Sequence, residues 1–367
     1  MISERYKRHN LIDWFSQDVL ARSKVAVVGA GAVGNEVIKN LALLGVGDIR
    51  IFDFDIIEEH NLTRSVLFRQ SDIGRSKAEV AAERAAEIDS NVIVSGVHGD
   101  FWDQISLIDL QNYDILFCCV DNFEARIRIN GLCYLSQVDL VNIGIDSRFA
   151  VAELFPFSKA SVGCFECTLP ESVYRRISER YSCGHLRKLS FVEKKIPTTI
   201  ITSTIAASLG VSAGLRLGVS KDEPAALRLY VDTIGGSLTR TVLSRMDDCP
   251  CCGRYVGKPV LVAARREIEA LPSDWDTEAT VIASEPILAS YQIDGRETVV
   301  FKKASLFDSD FPATLAEDGG NVELEIRDQF TLGELATRFS GRAMPCKYAA
   351  VTGAGKTIVY EFGRNGL

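Results

Sequence analysis

The run Lys24-Val25-Ala26-Val27-Val28 leads directly into Gly29-Ala30-Gly31-Ala32-Val33-Gly34, and an apolar segment continues from there to Leu44. A buried strand, a glycine-rich turn and a helix in that order leave few folds open. Glycines permit the tight turn, and backbone N–H groups at the helix start can approach a phosphate. A second strand, Ile49-Arg50-Ile51-Phe52, ends at Asp53-Phe54-Asp55, an acid at the distance suited to ribose hydroxyls. Strands and helices then alternate to about Gly144, as a parallel sheet covered on both faces requires. Strands are expected over Val92–His98, Ile115–Val120 and Asp139–Ile145, with one more over Phe149–Pro156. The expected fold is α/β, a Rossmann-like doubly wound and mostly parallel sheet.

A Gly-x-Gly-x-x-Gly turn by itself suits NAD, FAD or ATP. The residues after it decide for ATP. Asn61-Leu62-Thr63-Arg64 places an amide and a guanidinium just past the ribose acid, and Asp72-Ile73-Gly74-Arg75-Ser76-Lys77 brings a lysine to a helix start. Cations around the phosphate end of a nucleotide suit a reaction in which phosphate charge moves. Hydride transfer needs no such cluster, which disfavours an NAD-dependent oxidoreductase. The strand Ile115–Val120 ends at Asp121-Asn122. A carboxylate at the carboxyl end of a parallel strand points into the ligand crevice. Beside a triphosphate, Asp121 is suited to hold magnesium.

In order and spacing these parts resemble the superfamily that adenylates the C-terminal glycine of ubiquitin-like proteins, the ThiF–MoeB–HesA group. Its members are ubiquitin-activating enzymes and bacterial relatives in thiamine and molybdopterin sulfur transfer. The resemblance runs from Arg5 to about Gly253. It takes in Arg5-Tyr6-Lys7-Arg8-His9, the glycine turn, Asp53-Phe54-Asp55, Asn61…Arg64, Gly74…Lys77 and Cys119-Val120-Asp121-Asn122. The resemblance implies a nucleotide site built on Gly29, Gly31, Gly34 and Asn122, with Asp53 on the ribose and Asp55 close by. It gives Asn61, Arg64 and Lys77 to the phosphates and Asp121 to magnesium, and it has Arg8 reaching into the ATP site of a second copy. A homodimer is the expectation. One position departs from the pattern: many members carry Gln directly after the arginine of Asn-x-x-Arg, and here it is Ser65.

Cysteine spacing adds a metal. Cys164-Phe165-Glu166-Cys167 and Cys249-Pro250-Cys251-Cys252 form two knuckles, whose four thiolates Cys164, Cys167, Cys249 and Cys252 fit a closed structural zinc site with Cys251 spare. A redox role for one Cys-x-x-Cys is the competing reading. Cys118, Cys119 and Cys133 read as core residues. Ten cysteines in such pairs imply a reducing compartment rather than disulfides, and a cytoplasmic location is expected. The N-terminus lacks the apolar core of a signal peptide, and no stretch of 18 uncharged apolar residues suggests a membrane span. A net charge of −8 argues against nucleic acid as a partner.

Between the knuckles lies a polar crossover segment, about 168–196, containing Tyr181-Ser182-Cys183-Gly184-His185 with Arg187 and Lys188 close behind. Cationic neighbours lower a thiol's pKa. In ubiquitin-activating relatives the catalytic cysteine lies before a Pro-Thr-Thr stretch, and Cys183 precedes Pro197-Thr198-Thr199. Resemblance therefore implies a thioester on Cys183, the alternative being an exposed structural thiol. A helix of small residues is expected over Ile200–Leu217, then a strand pair over Leu227–Asp232 and Leu238–Leu243.

The adenylation domain is expected to span 1–253, with a linker over 254–276 and a small α+β domain over 277–367. Its strand-strand-helix-strand order is compatible with a ubiquitin-like fold, which in activating enzymes recruits a conjugating enzyme; a structural cap is the other reading. Gly353-Ala354-Gly355-Lys356-Thr357 fails as a P-loop, because Ala350 stands where glycine is needed and a β-rich run follows.

The expected activity is adenylation of the C-terminal glycine of a ubiquitin-like protein, then transfer to Cys183 and hand-off to a conjugating enzyme. The alternatives are a sulfur-carrier adenylyltransferase and an inactive scaffold subunit. Neighbouring genes would separate the pathways: conjugation genes indicate a system of the kind used in phage defence, thiamine or molybdopterin genes indicate sulfur transfer.

Overall fold

The computed structural model describes residues 4–174, 198–219, 224–271, 275–293, 295–304 and 322–363. They divide into two compact units, one of Met1–Leu169 with Lys194–Gly253 and one of Pro170–Glu193 with Arg254–Leu367.

The first unit is built on an eight-stranded sheet: β1 (Lys24–Val28), β2 (Asp48–Asp53), β3 (Ile93–His98), β4 (Ile115–Cys118), β5 (Asp139–Ile145), β6 (Phe149–Phe155), β7 (Leu227–Asp232) and β8 (Ser237–Val242). Their spatial order is β3-β2-β1-β4-β5-β6-β7-β8. Pairings from β3 to β5 are parallel, and those from β5 to β8 are antiparallel. The order reverses direction between β1 and β4, so the carboxyl ends of these two strands open the crevice in which a doubly wound sheet takes its ligand.

Helix α1 (Ala32–Leu43) follows the glycine turn, α2 (Lys77–Ile88) precedes β3, α3 (Phe123–Ser136) follows β4, and α4 (Ile200–Val219) precedes β7. Ser76 caps α2 by accepting from the Glu79 N–H, and Asn122 caps α3 by accepting from the Ala125 N–H at 2.8 Å. Val27, Ile49, Ile51, Phe117, Val141 and Ile143 lie in one core with Val37, Ile38 and Leu41 of α1. Helix α4 supplies Ala206, Ala207 and Val211 to the same core. Its small residues let it lie close: a Cβ on Gly210 would fall 2.4 Å from Ile143 Cδ1. By length and composition Ile200–Leu217 of α4 could cross a membrane, although with Arg216 in it the stretch is not an uncharged apolar run. Its packing explains that composition, since a helix seated on a sheet is also apolar.

In the second unit a six-stranded sheet has the order β11-β10-β13-β14-β9, with β12 paired to β10. Its strands are β9 (Pro259–Ala264), β10 (Thr280–Ile293), β11 (Arg296–Lys303), β12 (Val322–Thr331), β13 (Tyr348–Gly353) and β14 (Lys356–Phe362), with helix α5 (Leu332–Arg338). The stretch 254–276 is thus more than a linker: β9 pairs in parallel with β14 from Pro259 to Ala264. Ala354 and Gly355 both have positive φ, 48° and 78°, and make the two-residue turn between β13 and β14. That settles the glycine-rich Gly353–Thr357 stretch as a hairpin. Cys346, without a role in the sequence, is buried with Met344 and Phe339 in this unit's core.

Candidate nucleotide site and cysteine centre

Gly29 leaves β1 at φ 94°, a conformation that disfavours any residue with a Cβ. A Cβ there would also fall 2.9 Å from the Cys119 carbonyl carbon, so the missing side chain lets the glycine turn meet the loop after β4. At Gly34 a Cβ would sit 1.9 Å from the Gly29 carbonyl oxygen, which is why the turn can close onto α1. Gly31 faces open space, with no heavy atom within 4 Å of an added Cβ.

Asp53 ends β2 against this turn. Its Oδ2 accepts from the Ala30 N–H at 2.6 Å, and its Oδ1 accepts from the Asp55 N–H at 2.8 Å. Burial raises its pKa, and these two N–H groups and the Lys77 charge oppose the rise. The carboxylate predicted for the ribose therefore also fixes the turn.

Two short crossings bring Lys77 to the same place. The Gly74 N–H donates to the Ile57 carbonyl at 2.8 Å, the Ile57 N–H to the Arg75 carbonyl at 2.9 Å, and Ile56 bridges Ser76. Lys77 Nζ then lies 2.8 Å from Asp55 Oδ2, with the lysine largely buried and the aspartate half exposed. Asn61 is buried, accepting from the Glu58 N–H at 2.9 Å. Arg64 Nη1 donates to the His60 carbonyl at 2.8 Å and pairs with no carboxylate among the described residues. Ser65, the departure from the family pattern, is buried. An open cleft of about 710 Å³ lies along this stretch, lined by Ile56, Glu58, His60, Thr63, Ile73 and Gly74 among others. The glycine turn is not part of its lining.

Asp121 is exposed in the loop after β4, and the Asn122 amide donates to its Oδ1 at 3.5 Å. Asn122, assigned to the nucleotide, caps α3 through its side-chain oxygen. Arg8 is exposed, and its side chain has no hydrogen-bond or ion-pair partner among the described residues, whereas its neighbours are anchored. Arg5 Nε lies 2.8 Å from Asp89 Oδ2, the Tyr6 hydroxyl donates to the same carboxylate, and His9 contacts Gln17 at 2.9 Å.

Sequence reasoning missed Arg126. On the first turns of α3, it donates to the carbonyls of Val120 and Ile143, the latter at 2.8 Å, and to Asn142 Oδ1. The readable signal was polar residues at Asn142 and Glu153 inside otherwise apolar strands.

All four expected thiolates converge. The sulfurs of Cys164, Cys167, Cys249 and Cys252 are buried and mutually within 4.8 Å. Neighbouring separations are 4.0 Å for Cys164–Cys167, 3.6 Å for Cys164–Cys249 and 3.4 Å for Cys167–Cys252. Tetrahedral zinc with Zn–S of about 2.3 Å requires sulfurs about 3.8 Å apart. The quartet fits that ion. Hydrogen bonding from Cys164, Cys249 and Cys252 holds Cys167 far below the usual thiol range. Cys251 is buried and stays out of the quartet. A hydrogen bond from Cys164 lowers its pKa, but burial and the neighbouring Glu166 and Cys249 raise it more. Asn130 of α3 accepts from the Phe165 N–H at 3.0 Å and so fastens the first knuckle. Cys118 and Cys133 are core residues, and burial also raises the half-buried Cys119. Cys183 and His185 lie outside the described residues.

A doubly wound sheet with a glycine turn at its switch point, joined to a cysteine quartet, marks an α/β protein whose crevice suits a nucleotide and whose four sulfurs could hold zinc. More particularly, the ThiF family model matches residues 6–251, and the chain belongs to that family. It is 31% identical over 255 residues to the adenylyltransferase and sulfurtransferase MOCS3-1 of Zea mays, covering 68% of this chain and 51% of that one. Identity to SUMO-activating enzyme subunit 2 of Dictyostelium discoideum is 34% over 170 residues, 45% of this chain and 25% of that one. Molybdopterin-synthase adenylyltransferase of Salmonella typhimurium is 25% identical over 254 residues, 68% of this chain and 96% of that one. Among solved structures, E. coli MccB with ATP aligns with a TM-score of 0.55 at 27% identity, covering 68% of this chain and 74% of that one. The chain spans about a quarter of the Dictyostelium relative and about half of the maize one.

Proposed function

We propose that this protein uses ATP to adenylate the C-terminal glycine carboxylate of a ubiquitin-like protein, releasing pyrophosphate, and then transfers the acyl group to Cys183. The observation that carries the reading is the meeting of Lys77, Asp53 and the glycine turn at the carboxyl edge of the parallel strands. The related MccB structure holding ATP supports it.

In this reading the turn and the start of α1 cradle phosphate through backbone N–H groups. Asp53 and Asp55 face the ribose, while Arg64 and Lys77 stabilise charge that grows on the phosphates. Asp121 would hold magnesium, which neutralises phosphate charge when bound; its exposed carboxylate beside the crevice is the right donor type. Arg8, whose side chain is unpaired among the described residues, completes the site of a second copy in a homodimer. Zinc on the quartet is structural, and thiolates kept as separate ligands fit a reducing cytoplasm.

The C-terminal unit, with its strands before and after α5, is proposed as a ubiquitin-like docking domain for a conjugating enzyme, and a phage-defence conjugation system is the setting proposed. A second reading is favoured by the Salmonella relative, of which 96% is covered: a sulfur-carrier adenylyltransferase that stops at the adenylate.

Cys183→Ala separates the two. Carboxylate activation needs only the phosphate machinery, whereas a thioester needs a thiolate nucleophile. The variant is expected to keep ATP–pyrophosphate exchange with the ubiquitin-like partner and to lose a thiol-sensitive adduct on a non-reducing gel. Wild-type protein that exchanges pyrophosphate but never forms the adduct would instead be a sulfur-carrier adenylyltransferase. Cys251, buried beside the quartet, is a poor substitute acceptor.

A further inference from the structure

A row of polar side chains crosses one face of the large sheet, where its neighbours are apolar. Asn142 on β5 stands opposite Glu153 on β6, and Glu153 stands opposite Arg228 on β7. The Asn142 amide donates to Glu153 Oε2 at 2.6 Å, and Arg228 donates to Glu153 Oε1 through Nε at 2.7 Å and Nη2 at 2.6 Å. At the other end Asn142 Oδ1 accepts from Arg126, whose guanidinium also holds the Val120 carbonyl, one residue before Asp121. Asn142 and Glu153 are almost fully buried, while Arg228 is about one third exposed.

Burying a carboxylate costs stability unless it is paired, and breaking such a pair is strongly unfavourable. A core face could have been closed with apolar side chains at no such cost. We infer that Glu153 is a positioning residue for the nucleotide site: through Asn142 it orients Arg126, which pins the backbone that presents Asp121. The inference rests on the nucleotide reading above and extends it to residues two strands away from the crevice. The direction of the Asn142 amide is what links the two ends of the row. With its oxygen toward Arg126 and its nitrogen toward Glu153, the amide accepts at one end of the row and donates at the other.

In Glu153→Gln the new amide would oppose the Asn142 amide donor to donor, so either Asn142 turns away from Arg126 or one buried donor is left unmade. Asn142→Asp combined with Glu153→Gln restores the order. The carboxylate introduced at position 142 accepts from Arg126 and from the amide introduced at position 153, whose oxygen still accepts from Arg228. The paired substitutions keep one carboxylate in nearly the same volume, so packing alone does not distinguish wild type from the double variant.

Two measurements on the full chain test this. Amide hydrogen exchange over residues 119–126 without nucleotide is expected to rise about tenfold in Glu153→Gln and to return to within about threefold of wild type in the double variant. Calorimetry with ATP and magnesium is expected to show about tenfold weaker binding in Glu153→Gln, recovered in the double variant, with AMP binding unchanged in both. Unchanged hydrogen exchange in Glu153→Gln, or a folded double variant that recovers neither quantity, overturns the relay. If hydrogen exchange follows the pattern but wild type binds no ATP, the relay stands as a loop clamp, and its nucleotide role falls with the nucleotide reading.

Discussion

The thiolate quartet and the nucleotide crevice lie in the same unit and are stabilised in opposite ways. Around the crevice, most charges are already answered inside the chain: Asp53 by backbone N–H groups and Asp55 by Lys77. In the quartet, four sulfurs crowd within 4.8 Å, and a metal cation can accept electron pairs from all four together. The first arrangement holds its shape before a ligand arrives. The second is expected to depend on a bound cation, since four thiolates this close repel one another without one.

The largest effect should follow from removing the metal. Elemental analysis should find about one zinc per chain, and chelation should unfold the first unit, because binding energy at a thiolate site is folding energy, roughly 10–16 kcal/mol in zinc-finger peptides. Cys164→Ser should lower the melting temperature before it alters any chemistry. Metal-free protein that melts like the holo form would erase the contrast.

Next come Lys77→Ala and Asp121→Ala. Loss of one preorganised charge-stabilising group costs about 3–4 kcal/mol in the transition state, so ATP–pyrophosphate exchange should fall about 10²–10³-fold while melting is little changed. Exchange at the wild-type rate in either variant would remove the assignment. Arg8→Ala should weaken exchange by a smaller factor, about tenfold for one lost charge-assisted contact. Mixing it with Lys77→Ala protein should restore part of the activity, because a mixed dimer has one site with both residues. No rescue after subunit exchange, or a monomer by light scattering, would withdraw Arg8 from the partner's site.

The smallest effect concerns the anchor below that arginine. Asp89 is desolvated, yet the Tyr6 hydroxyl, the Asn91 N–H and amide, and Arg5 bring its pKa below the usual carboxylate value. A depressed acid contributes stability that is present above its unfolded pKa and is lost as pH falls through the folded one. Asp89→Asn should cost about 1–2 kcal/mol near neutral pH and progressively less in acid below the ordinary carboxylate range, measured by urea unfolding. An equal loss at both ends of that range would show that the anchor is not ionic.

Much of this was legible along the chain because the signals are local. Strand β2 ends on Asp53, Ser76 and Lys77 open a helix, and the Cys-x-x-Cys spacings are contiguous. What stayed hidden depends on register. Nothing local announces that Asn142 faces Glu153, or that β9 joins a sheet through a partner about a hundred residues later. Asn122 shows a different ambiguity, since an amide after a strand suits a nucleotide and a helix cap equally, and its oxygen serves the cap without excluding the nitrogen from a ligand.

The quartet also sets how freely this chain can change length. It joins Cys167 to Cys252 across a separation of 85 residues. Closure entropy grows only with the logarithm of loop length, so ten further residues between the knuckles would cost about 0.1 kcal/mol. The segment that holds Cys183 can therefore be lengthened, shortened or exchanged over evolutionary time at almost no thermodynamic penalty. A new acceptor partner could be accommodated by changes in that stretch of sequence without any change in the residues of the crevice.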